Sequence, residues 1–466
     1  MFKYNKICLS LLAVALFIVT LLLPLDKSYA LPSFARQTGL NCYNCHTIWP
    51  ELTPMGRAFK LTGYVQSTSD RPYEPFPPLS VGGVISYTGG DQAGGLTNGI
   101  SPFDNADHKY TDKTNALQEF NAFYGGRIYG DFGAFLQGTF DGVAKKVILD
   151  MADIRYAKSD ATLFGKPLVF GVTVNNRPSI QDVWNSTPVW GFPYASSSVA
   201  STPSAATVID GGLDTQVGGA GVYALWDNLI YVEGTLYRTT ENSITKPLGA
   251  GNPTDTIVRG VAPYWRVALE KQCGQEHSFM VGTYGIVSNL YPGGFAEGPT
   301  DRYTDIAFDA QYQYIAPRHV LTTAATWIHE KQNLDATYAL GGSVNNVNYL
   351  NTFKARISYA YRSKIGTVGG TVGYFNTSGS SDYALVDDGT GTGTLVATGL
   401  YAGNASGTPN SSGVILEANY LPIKYVKLGV QYTIYDKFNG SRTNYDGNGT
   451  DASSNNTIYL YTRIMY

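Results

Sequence analysis

Residues 425 to 435 read YVKLGVQYTIY, and this stretch decides the fold class. Apolar side chains recur there at every second position: Val426, Leu428, Val430, Tyr432 and Ile434. The positions between them carry polar or small residues: Lys427, Gly429, Gln431 and Thr433. Because successive strand side chains point to opposite faces, this period of two predicts a β-strand with one apolar face and one polar face.

The same alternation recurs from about Leu79 to the C-terminus. In residues 352–362 it places two cations, Lys354 and Arg356, on the polar face in the middle of a strand, which requires a wet lumen. The pattern predicts about sixteen strands, near residues 79–88, 117–129, 132–141, 148–158, 166–174, 216–226, 228–238, 261–271, 277–287, 303–315, 319–329, 350–361, 365–375, 413–421, 424–435 and 456–466.

The connections alternate between tight turns and long polar segments, near 89–116, 175–215, 239–260, 376–412 and 436–455. Bacterial outer-membrane barrels have short periplasmic turns, long outer loops and an even number of antiparallel strands. No stretch after Ala30 approaches the ~18 apolar residues of a spanning helix, so membrane insertion must use strands. A soluble β-sandwich is the alternative, but its connections would not segregate by length. Residues 76–466 are therefore expected to form an all-β, antiparallel outer-membrane barrel of about sixteen strands.

The N-terminus has the features of an export signal. Lys3 and Lys6 precede an apolar run that continues to Leu25, and small residues end at Ala30. This pattern predicts a cleaved signal peptide over residues 1–30, with an uncleaved anchor helix as the alternative. The net charge is −3, and no basic patch predicts binding to nucleic acid.

A C-x-x-C-H box follows the signal, at Cys42-Tyr43-Asn44-Cys45-His46. Two thiols at this spacing can each bond one haem vinyl group, while the adjacent imidazole binds the iron. The competing interpretations are a redox dithiol, which needs a βαβ context, and half of a zinc site, which needs two more ligands. One box predicts one covalent haem c, held by Cys42 and Cys45, with His46 as the proximal ligand.

The haem segment, residues 31–75, is too short to bury a haem by itself. We therefore expect it to plug the lumen, where side chains of the barrel would complete the walls of the haem pocket. Met55, Met151 and His108 are candidates for the sixth iron ligand, and an open or water-bound position is a further alternative. Arg57 and Arg127 are candidate partners for the haem propionates, because a guanidinium matches a carboxylate with two parallel hydrogen bonds.

Residues 31–64, LPSFARQTGLNCYNCHTIWPELTPMGRAFKLTGY, resemble the fused monohaem cytochrome–porins of bacterial outer membranes, a family that includes iron oxidases. The block NNRPSIQDVWNSTPVWGFPY at 175–194 and the tail QYTIYDKFNG with NNTIYLY are similar to that family too. Met55 departs from the pattern, since many relatives have an aromatic residue there. The resemblance implies a barrel in the outer membrane of a Gram-negative bacterium, in contact with its lipid.

From the haem box and the resemblance we expect electron transfer across the outer membrane. An extracellular donor, for which Fe(II) is the leading candidate by the resemblance, would reduce the haem. A periplasmic cytochrome or other carrier would receive the electron. Such a protein is primarily an electron carrier, with possible iron:cytochrome oxidoreductase activity. The alternatives are a solute porin in which the haem segment is a gate or structural plug, and a periplasmic carrier on a soluble β scaffold.

Overall fold

The structure is a computed structural model that describes residues 32–90, 117–188, 191–239, 256–294, 296–385 and 404–466. The predicted signal peptide and His108 lie outside these ranges. Seventeen strands are present within them: β1 (Leu79–Gly89), β2 (Glu119–Tyr129), β3 (Phe132–Asp141), β4 (Lys146–Leu163), β5 (Lys166–Asn175), β6 (Val217–Trp226), β7 (Ile230–Thr239), β8 (Ile257–Val258), β9 (Ala262–Cys273), β10 (His277–Tyr291), β11 (Asp301–Ile315), β12 (His319–Asn333), β13 (Val347–Ser363), β14 (Gly366–Gly379), β15 (Ser411–Ile423), β16 (Val426–Lys437) and β17 (Thr457–Met465).

Sixteen long strands form a closed antiparallel ring. Each pairs with its neighbours in sequence, β7 pairs with β9, and β17 closes the ring on β1. The two-residue strand β8 only extends the edge beside β10. A closed ring leaves no unpaired strand edge, which is the condition for a sheet to cross a bilayer. The prediction of about sixteen antiparallel strands is confirmed.

The two ends of the barrel differ in the length of their connections. One end carries the short turns, including 130–131, 164–165 and 364–365, together with the start of β1 and the end of β17. The other end carries the longer segments, with a four-residue connection at 142–145 as the exception. The short-turn end corresponds to the periplasmic end of outer-membrane barrels.

The strands are apolar outside and polar inside. On β11, Ile306 and Phe308 are exposed, whereas Asp305, Asp309 and Gln313 are buried. β13 and β16 follow the same rule, with Arg356 and Lys427 buried on the inner face. Outward apolar side chains in consecutive strands form the band that a bilayer covers. This is the polarity of a membrane-spanning barrel.

The N-terminal segment contacts the inner wall on several sides. Its three short helices are α1 (Pro32–Thr38), α2 (Cys42–Cys45) and α3 (Pro54–Leu61). Tyr64 donates a hydrogen bond to Asp153 on β4 at 2.6 Å, and Tyr223 on β6 donates to the Leu61 carbonyl at 2.7 Å. Gln313 on β11 donates to the Leu52 carbonyl at 3.1 Å. No helix of the described ranges is long and apolar enough to span a membrane.

Residues 176–216 correct one expectation. The sequence pattern placed them in an outer loop, but the described part of this segment contacts the inward faces of the strands, and we call it the inner loop. It contains the helix α4 (Pro178–Gln181), and Gln311 and Gln431 donate to the carbonyls of Trp184 and Ala195 at 3.0 Å each. Burial of its apolar side chains explains the inward course. A fifth helix, α5 (Asp335–Ala339), follows β12.

We predict that Ile357→Lys destabilises the barrel. Ile357 points outward from the interior of β13 and is 58% exposed, so the lysine would lie in the hydrocarbon band. The expected loss is about 2–4 kcal/mol in the free energy of folding into lipid vesicles, measured by urea titration. Ile365→Lys is the matched control because this residue, 77% exposed, lies in the short turn at the end of β13. We expect it to cost about 0–1 kcal/mol. Equal effects of the two substitutions would contradict the assignment of the outer face.

Candidate haem site

The haem box forms one tight helical turn that packs against the start of α3. His46 N donates to the Cys42 carbonyl at 2.9 Å, and Thr53 N donates to the Cys45 carbonyl at 3.0 Å. Thr53 caps α3 by accepting from Gly56 N at 3.2 Å, and its hydroxyl donates to the Asn44 carbonyl. A Cβ on Gly56 would lie 2.2 Å from the Cys45 carbonyl oxygen. Position 56, in the first turn of α3, must therefore be glycine for α3 to contact the haem box.

Cys42, Cys45 and His46 line one cavity, which is partly open to solvent. Its walls are largely apolar and come from α1, α3, β2, β3, the inner loop and β17: Phe34, Phe59, Phe123, Phe135, Ile180, Val183 and Met465. Both thiols and the imidazole thus share one largely apolar pocket, and covalent haem attachment requires these three groups close together.

The His46 ring is oriented for ligation. Its Nδ1 lies 3.2 Å from the Pro50 carbonyl oxygen, a contact that favours the proton on Nδ1 and leaves Nε2 available to a metal. Burial lowers the pKa of His46 to about 4, an effect larger than the opposing hydrogen bonds to Pro50 and Glu51. The ring is therefore neutral at pH 7, which is the form that binds iron.

The thiols do not have the character of a reactive dithiol. Burial, followed by the charge of Cys42, raises the pKa of Cys45 to about 11. Redox dithiols have lowered thiol pKa values. Within the described ranges no group of three or more His, Cys, Asp or Glu side chains is arranged to hold a metal ion.

The candidate sixth ligands lie at different places. Met55 is 43% exposed and does not line the cavity. Met151, on β4, is buried in the same apolar cluster as Phe135 and does not line the cavity. Met465, near the end of β17, does line it, and sequence reasoning missed this residue. The alternation Ile458, Leu460, Thr462 and Ile464 on the outer face already implied that Met465 points inward.

The predicted propionate partners are occupied elsewhere. Arg57 is buried and bonds Glu270, with Nε 3.1 Å from Oε2, and also Gln313 at 3.0 Å. Arg127 donates to the Val65 carbonyl at 3.0 Å and the Arg71 carbonyl at 2.6 Å. Neither arginine lines the cavity, whereas Lys60 does. Burial lowers the pKa of Lys60 to about 8, although Asp153 opposes the shift, so its charged form gains from an anionic partner.

Two buried ion pairs attach the N-terminal segment to the wall. Glu51 accepts from Arg356 on β13 at 2.7 Å, and Arg57 pairs with Glu270 on β9. Glu270 also accepts from the Trp184 indole at 3.0 Å. Removing one partner of a buried pair leaves an uncompensated charge, which costs about 3–5 kcal/mol. The N-terminal segment is thus fixed to two strands that lie a quarter of the ring apart, and through Glu270 it is linked to the inner loop.

Comparisons with known proteins give similarities to solved structures at low sequence identity. No protein-family model and no curated protein matches. The chain is similar to a loop L8 deletion mutant of OmpT, an outer membrane protein of Vibrio cholerae, at 10% identity and a TM-score of 0.43, covering 83% of this chain and 98% of that one. It is also similar to an anion-selective porin from Comamonas acidovorans, at 10% identity, a TM-score of 0.43 and coverages of 83% and 98%. A third is the outer membrane channel DcaP of Acinetobacter baumannii, at 12% identity, a TM-score of 0.42 and coverages of 83% and 97%.

We predict that Gly56→Ala lowers covalent haem loading. In a helix, alanine is intrinsically better than glycine by about 0.5–1 kcal/mol, so propensity alone would stabilise α3. The clash with the Cys45 carbonyl instead pushes α3 off the haem box, with an overpacking cost of about 1–3 kcal/mol. The measurement is haem absorbance per chain in purified protein. Gly234→Ala is the control, because a Cβ there meets no atom within 4 Å. Equal loading of the two variants would contradict the tight contact.

Proposed function

We propose that the chain carries one covalent haem c and transfers electrons across the outer membrane of a Gram-negative bacterium, from an extracellular donor to a periplasmic carrier. The observation that carries the proposal is the convergence of Cys42, Cys45 and His46 on one apolar cavity inside a closed barrel. The resemblance of residues 31–64 to fused monohaem cytochrome–porins supports Fe(II) as the donor.

Each residue of the site has a distinct task in this proposal. Cys42 and Cys45 attach the haem through thioether bonds, and His46 binds the iron through Nε2 while Pro50 holds its other nitrogen. Lys60 is the cation on the cavity wall that can neutralise a propionate. The haem supplies one-electron redox chemistry. The aromatic wall keeps water away from it, and exclusion of solvent is one of the levers that set a haem potential.

The position of the cavity fits delivery to a periplasmic partner. His46 accepts, through its carbonyl, a hydrogen bond from Arg362 at 3.3 Å, and Asn41 accepts one from Lys424. Both cations lie at the short-turn end of the barrel. The site therefore lies near the end that faces the periplasm in barrels of this type.

A solute channel is the second candidate, favoured by the closed barrel with its polar inner face. In that function the N-terminal segment would be a gate or structural plug. Ion conductance in planar bilayers separates the two, measured on the full chain and after deletion of residues 32–78. A large conductance of the haem-loaded full chain favours the channel. A large conductance of the deletion variant alone favours a segment that closes the lumen.

Anaerobic mixing with Fe(II) tests the electron-transfer proposal. We expect Fe(II) to convert the absorption spectrum of oxidised haem into that of reduced haem. A double variant, Cys42→Ala with Cys45→Ala, should lack covalent haem and show no such change. Haem that stays oxidised across the accessible range of potentials would rule out Fe(II) as the donor.

Met465→Leu tests which methionine faces the haem. Leucine keeps the volume of the side chain but removes the thioether, so we expect normal haem loading with a changed absorption spectrum and a changed midpoint potential. Met55→Leu is the matched control and should change neither property, because Met55 lies outside the cavity. A Met465→Leu spectrum identical to that of the parent would exclude Met465 as a ligand.

A further inference from the structure

Two carboxylates contact each other in the outer half of the lumen, far from the haem cavity. Asp305 on β11 and Glu330 on β12 are direct cross-strand partners, and their carboxyl groups lie within hydrogen-bonding distance. Both are essentially inaccessible, at 1% and 0% exposure. The neighbouring cations are committed to other acids, Arg266 to Asp309 and Lys354 to Asp210.

Such a pair needs a positive partner. Two adjacent buried carboxylates repel each other, and burial of an isolated charge is costly, so a shared proton or a bound cation must compensate. The pair is held in place by the inner loop. Glu330 accepts from Val208 N at 2.6 Å, and Asp305 accepts from Ile209 N at 2.7 Å.

The oxygens that remain around the pair distinguish these two solutions. Asp305 Oδ1 is buried and has no hydrogen-bond donor. The Gln332 amide donates to Glu330 at 2.7 Å, which fixes it beside the pair, yet its Oε1 is also buried without a partner. Two hydroxyls are also buried without a hydrogen-bond partner. One belongs to Thr207, next to Val208, and the other to Ser288 on the neighbouring strand β10. A single proton would satisfy at most two of these oxygens.

We infer that Asp305, Glu330 and the Gln332 amide oxygen bind a divalent cation, with the hydroxyls of Thr207 and Ser288 as further donors. Carboxylate, amide and hydroxyl oxygens are hard ligands suited to Mg²⁺, Ca²⁺, Mn²⁺ and Fe²⁺. A divalent charge balances both carboxylates and fills the unpartnered oxygens at once.

The location relates the cation site to electron transfer. Asp305 lies four residues from the outer end of β11, whereas Gln313 on the same face contacts the N-terminal segment at Leu52. The two positions are about 26 Å apart along the strand. The acid pair thus lies between the outer end of the barrel and the haem cavity. That the natural cation is the Fe(II) donor rests on the proposed function, whereas cation binding itself does not.

Binding of Mn²⁺ to the full haem-loaded chain in detergent tests the site. Electron paramagnetic resonance of free Mn²⁺ should show one bound ion per chain. In a double variant, Asp305→Asn with Glu330→Gln, the affinity should fall at least tenfold, and Ca²⁺ should compete in the parent. Glu417→Gln is the control, since Glu417 is also buried and inward but pairs with Lys427. Each variant should keep a difference in electrophoretic mobility between heated and unheated samples, which verifies that it forms a barrel.

Three outcomes would overturn the site: no Mn²⁺ binding by the parent, equal binding by the double variant, or a protonated-carboxyl infrared band that persists at saturating Mn²⁺ and disappears in the double variant.

The role of Fe(II) has a separate readout. The double variant should slow haem reduction by Fe(II) at least tenfold but leave reduction by dithionite, an anion, unchanged. Mn²⁺ binding together with a haem that Fe(II) does not reduce refutes the proposed function and leaves the cation site intact.

Discussion

The inverted polarity of the barrel is the constraint on which the rest of the structure depends. Because the outer face is apolar, the charged and polar side chains of the strands point inward. There each of them needs a hydrogen-bond or ion-pair partner, since burial of an unpaired polar group is unfavourable. Glu270 illustrates the solution, since it accepts from Arg57 of the N-terminal segment and from Trp184 of the inner loop. The wall, the segment and the inner loop therefore stabilise one another, and none of them satisfies its buried groups alone.

This mutual dependence determines how the candidate haem site is built. The cavity takes Phe34 from the segment, Phe123 and Phe135 from two strands, Ile180 from the inner loop and Met465 from the last strand. Chain regions more than 400 residues apart thus meet around the two thiols. The walls exist only when the ring has closed through pairing of β1 with β17, so the site and the barrel are a single folding unit.

Local pattern in the sequence predicted what depends on local chemistry. The period of two predicted the strands and their faces, including Asp305 and Arg356 on the inside. Lipid outside the barrel requires apolar side chains and the interior requires polar ones, so the two kinds alternate along each strand. The haem box was recognised from its spacing alone, and its haem stays a prediction. The inward course of residues 176–216 was not recognised, because a loop that packs against a wall has no period. For the same reason the sequence could not give the protein partners of Arg57 and Arg127: a guanidinium fits a carboxylate, a carboxamide or a carbonyl equally well, and only the fold decides which one is near.

The separation of the two sites bears on how one haem can serve both sides of a membrane. The apolar band of an outer-membrane barrel is about 25 Å tall, and the haem cavity lies near the short-turn end. Within the proposed function, a single haem there would exchange electrons readily with a periplasmic protein but not with a donor held outside. Within the proposed function, the remaining distance must be covered by the donor itself. A small cation can do this where a protein cannot, and the carboxylate pair of Asp305 and Glu330 lies on the outer side of the haem cavity. The lumen would then act as a cation path that ends at an electron acceptor, and the pair of Asp305 and Glu330 would be as necessary to the function as the haem box.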